Sequence, residues 1–245
     1  MIDVAMTPAE LRSADVAVVI DVLRASSTVT QALAAGYERV LCADSIGRAA
    51  GLRAGGRVLA GERQCVTPPG FDQGNSPSEA AQRHGDELVL ATTNGAPAIV
   101  AALALAPTVL LGCLLNLDAL LEALRGGGGA TDDDVQIVCS GTDGAAALED
   151  AYVAGRLCAS LKGRRTDAAL IAEAVARGYP TALGALSASA DAQVLKAAGL
   201  QDDITWCAQE SRLDLVPRAF SAGEGVAAVV WQRTADQDTV LSRSS

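Results

Sequence analysis

The sequence predicts an α/β fold: a mainly parallel sheet with helices on both faces, in three layers. Two observations carry this reading. Apolar runs of strand length alternate with longer Ala- and Leu-rich segments, as repeated strand–helix units require. The strand runs are also nearly continuous in apolar residues, as strands covered on both faces must be. The 245 residues suit one unit of this kind, 1–245; the glycine-rich, acidic stretch 125–134 is where a boundary falls if the chain divides into two lobes. A chain of this length buries roughly 70–75% of the surface it exposes when unfolded and needs no staple.

In chain order, residues 16–20 read as a buried strand and 26–35 as a helix stopped by Gly36. Residues 39–43 read as a strand, 45–54 as a helix and 58–60 as a short strand. A polar loop, 62–75, leads to a helix starting at Ser76, where Pro77 suits the first turn and Ser76 with Glu79 forms a capping box. A strand at 88–91, a helix at 95–105 and a strand at 109–114 follow. The helix at 118–124 runs into the glycines 126–129, a flexible link. Then come a strand at 135–139 and helices at 145–161, 167–177 and 188–198. Residues 204–207 and 226–231 read as late strands, and the polar tail after Thr234 is expected to fray.

Composition excludes several functions. A net charge of −10 argues against a nucleic-acid surface, and 3% aromatics leave no stacking platform for single strands. No apolar segment reaches membrane-spanning length, and Met1 to Val4 lack the basic start of a signal peptide. The six cysteines are far apart with no CxxC pair, so they read as buried reduced thiols in a cytoplasmic protein. The lone histidine, His84, excludes His-based serine hydrolase and multi-histidine zinc schemes. Neither a dinucleotide fingerprint nor a P-loop is present. A homodimer is the default expectation for a soluble globular protein.

The chemistry concentrates at three similar turns, each a buried strand followed by small polar residues and a helix start: 18–33, 88–103 and 136–151. In a parallel sheet these turns share the carboxyl edge, where ligands bind. Helix N-termini favour an anion there, and Ser26, Ser27, Thr92, Thr93, Asn94, Ser140 and Thr142 add donors. Taken singly, such residues are ordinary helix caps; three polar turns on one edge point to a shared anion site. Asp21 ends a buried strand, a good position to hold Mg²⁺, and Arg24 can fork onto phosphate or carboxylate unless the two simply pair. Gly61, Glu62 and Arg63 repeat the acid-plus-arginine theme, and Glu149 with Asp150 lie within a helix.

Six motifs in order resemble the 2-phosphosulfolactate phosphatase family: 21–28 (DVLRASST), 61–63 (GER), 70–77 (GFDQGNSP), 92–95 (TTNG), 139–142 (CSGT) and 148–150 (LED). The segment 203–208, with Val216 and Pro217, resembles that family's C-terminal part, so the likeness runs from about residue 15 to 230. The resemblance implies a Mg²⁺-dependent phosphatase on an α/β fold. It implies a small anionic phosphorylated substrate, 2-phosphosulfolactate, hydrolysed to sulfolactate and phosphate. Asp21 and Arg24 are then the catalytic candidates, and Asp21, Glu62, Glu149 and Asp150 the metal ligands. Arg63, Ser26, Ser27, Thr92, Thr93, Asn94, Gly95, Ser140, Gly141 and Thr142 are expected to bind substrate. Direct attack by water and an aspartyl-phosphate on Asp21 both remain open. So do another small phosphorylated hydroxy acid as substrate and a non-catalytic anion-binding module.

Overall fold

A computed structural model describes residues 1–126 and 133–231. The glycines after Gly126, most of the 125–134 stretch and the tail after Thr234 lie outside the described residues. Strands β1 (Ile2–Ala5), β2 (Val16–Ile20), β3 (Arg39–Ala43), β4 (Arg57–Gly61), β5 (Glu87–Ala91), β6 (Thr108–Gly112), β7 (Val135–Cys139), β8 (Arg218–Ser221) and β9 (Val226–Val230) join in one sheet. Its order is β1-β7-β2-β6-β8-β9-β3-β5-β4. Helices α1 (Ala25–Ala34), α2 (Ile46–Gly51), α3 (Pro77–Ala80), α4 (Gly95–Ala102) and α5 (Leu117–Gly126) connect the strands in the first half. Helices α6 (Leu148–Ser160), α7 (Asp167–Gly178), α8 (Ala182–Ala188), α9 (Ala190–Ala197) and α10 (Gln201–Cys207) follow β7 in succession.

The sheet is two parallel wings joined by a hairpin. β1, β7, β2 and β6 pair in parallel, as do β3, β5 and β4. Between them the β8–β9 hairpin pairs antiparallel with itself, with β6 and with β3. Three reversals in a row leave the wings running in opposite directions. The expected mainly parallel sheet is therefore present, but its strands do not share one flat carboxyl edge. β2 and β5 are five steps apart, and a twist of roughly 20–25° per step turns them by about 100–125°. That rotation swings their carboxyl ends toward one cleft. Helix α4, touching β3, β9 and β2, spans the junction.

Both faces are covered, giving three layers. In β2, Val16, Val18 and Ile20 face one cluster with Leu120, Leu124, Tyr152 and Leu157, while Ala17 and Val19 face another with Val29, Ile99 and Leu90. The alternation is the period of a strand buried on both sides. The outer edges are also closed. Ile2 exchanges backbone bonds with Arg164 and Thr166, and the amide of Asp72 donates to Leu59 O at 2.8 Å. Covered edges cannot template pairing with another chain. No helix among the described residues is long and apolar enough to cross a membrane. All six cysteines are free, and five are buried.

Several elements differ from the sequence reading. Residues 204–207 form the end of helix α10, not a strand; four residues, three of them apolar, carry no periodicity that separates the two. β1, β8 and α8 have no counterpart in the sequence reading: each is seven residues or shorter and carries too little periodicity to stand out. The capping box at Ser76 does not form: Ser76 Oγ donates to Asp203 Oδ1 at 2.6 Å, and Glu79 Oε2 accepts the Gly74 amide at 2.8 Å. The helix expected from residue 145 starts at Leu148, because Thr142 and Ala145 exchange backbone bonds of 2.9 Å around a tight turn at Asp143 and Gly144. Gly144, at φ +78°, takes the left-handed conformation that glycine allows freely.

Two features of the helical layer are testable. A Cβ on Gly155 would stand 2.5 Å from Ala172 C and 2.8 Å from Ala176 Cβ, so α6 and α7 pack backbone to backbone. Overpacking of this kind costs about 1–3 kcal/mol, and for a domain of this size Gly155→Ala is expected to lower Tm by about 3–10 °C in calorimetry. In α7, the Arg165 hydrogen bond at 2.8 Å holds the Glu173 carboxyl below its ordinary value of 4.5, with Arg177 helping. The unfolded chain therefore takes up this proton first as pH falls. The contribution is complete above about pH 4.5 and fades below it. Acid titration of stability should show a shallower loss below pH 4.5 in Glu173→Gln than in the wild type.

Candidate active site

A cavity of about 360 Å³ opens where the two wings converge, lined by residues from both. Asp21 leaves β2, Thr142 and Asp143 leave β7, Glu62 leaves β4, and Thr92, Thr93 and Asn94 leave β5. Asp191, Val194 and Leu195 of α9 form a further wall, and Leu23, Arg24, Gln64, Cys65 and Asn75 complete the lining. A second cavity of about 360 Å³ lies beside β1, lined by Ile2, Leu124, Val135 and Leu161 among others, and holds none of the residues the sequence singles out.

Each site group is fixed by local backbone. Asp21 Oδ1 accepts the amide of Ala25 at 2.9 Å, so the first turn of α1 receives the protein's own carboxylate. Ser26 closes the same turn, its hydroxyl donating to Asp21 O at 2.7 Å. Ser27 Oγ likewise donates to Val22 O, so both serines cap the chain rather than line the cavity. Thr92 Oγ1 accepts the Ala96 amide at 2.9 Å and caps α4. Glu62 Oε1 accepts from both the amide and the hydroxyl of Thr93, at 2.8 and 3.0 Å, and Oε2 accepts the Cys65 amide. Asn94 Oδ1 accepts the Asp143 amide at 3.4 Å, joining the β5 exit to the β7 exit. Asp150 ties β2 to β7: its carboxylate accepts Val22 N–H at 2.9 Å and Gly141 N–H at 3.1 Å. The helix ends are thus largely satisfied from within, not left open to a ligand as the sequence reading expects.

Arg24 does not pair with Asp21. Its Nη1 donates to Asp203 Oδ2 of α10 at 2.6 Å, and both side chains are buried. Arg63 lies outside the lining and donates to Glu62 O at 2.8 Å. Gly95, Ser140, Gly141, Glu149 and Asp150 also stand behind the lining. Gly95 has a steric reason: a Cβ there would fall inside contact distance of Asp21 Oδ2 and stand 2.5 Å from Ala25 Cβ.

The acids crowd one another. Burial lifts the Asp21 carboxyl to about 6; Glu62 and Asp191 add to the rise, while Ala25 N–H and Arg24 oppose it. Burial, with Asp191 beside it, lifts Glu149 to about 8. Asp150 is pushed well up by burial, then by Asp21 and Glu149. Asp191 accepts the Thr142 hydroxyl at 2.5 Å. Asp191 escapes sequence reasoning because Ser189, Ala190 and Asp191 read as an ordinary helix start; only the fold brings it to Glu149 and Thr142. Asp143, Cys65 and Asn75 are likewise in the lining without having been assigned a role from sequence.

Among the described residues no three His, Cys, Asp and Glu side chains converge as a ready metal cluster. The donor chemistry still fits Mg²⁺, which takes one or two carboxylates and keeps several waters. Glu149 Oε2 and Ser140 Oγ are buried oxygens without a partner, and Glu149 adjoins Asp191. Glu62 and Asp150, by contrast, use both carboxylate oxygens on backbone amides.

An acid-lined cleft at converging strand ends, on a mixed sheet covered by helices, is the site of an α/β enzyme acting on a small polar ligand. A family model described as 2-phosphosulpholactate phosphatase matches residues 3–221. A probable 2-phosphosulfolactate phosphatase of Thermus thermophilus is 41% identical over 209 residues, 83% of this chain and 87% of that protein. One from Pseudothermotoga lettingae is 37% identical over 219 residues, 89% of this chain and 95% of that protein. The 2-phosphosulfolactate phosphatase of Methanothermobacter thermautotrophicus is 35% identical over 200 residues, 82% of this chain and 84% of that protein. The chain belongs to the 2-phosphosulfolactate phosphatase family and is a phosphoric monoester hydrolase.

The contact between Gly95 and Asp21 gives a direct test. Gly95→Ala must displace Asp21 or α4, and a shift near 1 Å costs on the order of 100-fold in rate. The variant should lose phosphatase activity by about that factor while keeping its circular dichroism spectrum.

Proposed function

We propose that the protein hydrolyses 2-phosphosulfolactate to sulfolactate and inorganic phosphate in a Mg²⁺-dependent reaction. The observation that carries the metal requirement is the charge of the lining. Asp21, Glu62, Asp143 and Asp191 face the cavity against a single guanidinium, Arg24. A substrate bearing phosphate, carboxylate and sulfonate is repelled by such a wall, and the net charge of −10 adds no long-range attraction. A bound divalent cation reverses the local sign.

Glu149 and Asp191 are the carboxylates that would hold the ion, with water and Thr142 completing its surroundings. When bound, it supplies charge neutralisation on the phosphoryl oxygens. The remaining work falls to the chain. Asp21, fixed by Ala25 N–H through Oδ1, keeps Oδ2 for the attacking water, which it orients and relieves of a proton. A carboxyl lifted to about 6 accepts a proton more readily than an ordinary aspartate does. Arg24 offers its unpaired N–H edge to the substrate. Thr92, Thr93 and Asn94 shape the opposite wall.

The test is phosphate release from 2-phosphosulfolactate, from 2-phospholactate and from a panel of other phosphomonoesters. Release should require Mg²⁺, stop in EDTA and return on adding the ion. Removing a general base costs about 10²–10⁴-fold, so Asp21→Asn should lose that much of kcat with the fold intact. Full activity in EDTA excludes the metal role. A fully active Asp21→Asn excludes Asp21 as the base.

A further inference from the structure

We propose that Asp203 is a positioning residue for the phosphatase reaction: it acts through Arg24, holding the guanidinium in the cavity wall and away from the carboxylates that share the cavity. This rests on the function proposed above, in which Arg24 meets the substrate.

Asp203 stands behind the site, not in it. It is 3% exposed and lies outside the cavity lining, whereas Arg24, 4% exposed, belongs to that lining. Both of its carboxylate oxygens are committed to the protein. Oδ2 accepts Arg24 Nη1 at 2.6 Å, and Oδ1 accepts the Ser76 hydroxyl at 2.6 Å. Arg24 immediately precedes α1 on the first wing, and Ser76 immediately precedes α3 on the second. One carboxylate from α10 therefore pins a residue of each wing. The platform beneath it is firm. Ile204 and Cys207 are buried in the core, α10 packs against α3, and Trp206 Nε1 donates to Gln31 Oε1 of α1 at 3.3 Å.

What the pair prevents follows from the charges around it. Arg24 shares the cavity lining with Asp21, Glu62, Asp143 and Asp191, and its field already reaches Asp21. Asp203 is its buried counter-ion. A buried cation stripped of its partner is left uncompensated. Arg24 then turns to the cavity carboxylates, and its donors are lost to the substrate. A contact that only fastened α10 to the rest of the chain would change stability and leave turnover alone. A contact that positions Arg24 changes turnover, and only while Arg24 is there to be positioned.

The experiment is a double-mutant cycle on phosphate release from 2-phosphosulfolactate, with thermal unfolding measured alongside. Its variants are Asp203→Ala, the near-isosteric Asp203→Asn, Arg24→Met, which keeps length without charge or donors, and the double variant Arg24→Met with Asp203→Asn. Losing a hydrogen bond to a charged group costs about 10–100-fold. Asp203→Ala should lower kcat/KM by about 100-fold, and Asp203→Asn, which can keep both bonds, by only about 10-fold. In the Arg24→Met background Asp203→Asn should change kcat/KM by less than about 2-fold, within the error of additivity. It should also raise Tm there, because Arg24→Met alone leaves the Asp203 charge buried and unpaired. Ser76→Ala keeps the ion pair and loosens only its anchor, so it carries the test if the Asp203 variants do not fold. It should lose about 2–10-fold with Arg24 present and nothing in Arg24→Met. Wild-type kcat/KM in Asp203→Asn, or the same loss in both backgrounds, overturns the role of Asp203 alone. Wild-type kcat/KM in Arg24→Met overturns the place of Arg24 in the function proposed above, and this inference with it.

Discussion

The site depends on one close approach, that of Asp21 on the first wing to Gly95 on the second. The hairpin in the middle of the sheet sends the two wings in opposite directions, so nothing in the pairing alone brings their carboxyl ends together. Twist supplies the rotation, and α4, laid across β3, β9 and β2, supplies the bridge. Its first residue is glycine because any side chain would occupy the space of the Asp21 carboxylate. From that contact the remaining geometry follows. Asn94 reaches Asp143, Thr93 reaches Glu62, and four strand exits become one cavity.

The same convergence forces acids together in a region of low dielectric. The fold relieves part of the cost with backbone amides: Ala25 for Asp21, Thr93 and Cys65 for Glu62, Val22 and Gly141 for Asp150. Charged acceptors of backbone N–H groups are stabilised by roughly twice a neutral bond. Glu149 receives too little of this, and burial with Asp191 alongside leaves it at about 8. Amides used this way are no longer available to a substrate. The dipole of α1, which a sequence reading assigns to an incoming phosphate, acts on Asp21 instead. Under the function proposed above, attraction for the substrate then falls to Arg24 and to the proposed cation, not to the helix ends.

Much of the fold was legible, and the errors have physical causes. The alternation of buried strands and helices predicted the parallel wings, because strands covered on both faces leave a continuous apolar run. The inserted hairpin was not legible: pairing direction is set by long-range contacts between residues such as Leu110 and Arg218, far apart in sequence. Residues 204–207 were misread because four apolar-rich positions fit strand and helix equally. At the site, Asp21, Arg24, Glu62, Thr92, Thr93, Asn94 and Thr142 do line one cavity. Their motifs sit directly at strand ends, where sequence position and spatial position coincide. Asp191 and Asp203 were missed in their roles because both lie on short helices of the last layer, and only packing decides where such helices present a carboxylate.

Arg24 shows how an acidic protein keeps a useful positive charge. A guanidinium free in this cleft would be drawn to the nearest carboxylates, Asp21 among them, and both charges would be cancelled at the point of chemistry. Asp203 prevents this by binding Arg24 from behind, in a buried pair whose rupture would leave either charge uncompensated. Planar, forked geometry makes arginine the suitable residue, since one edge can be committed while the other stays open; lysine, a point charge, has no second edge to offer. The pair is close to neutral as a unit, so it adds little to the field at a distance. It adds a directed donor at contact range, where a protein of net charge −10 has to do its binding.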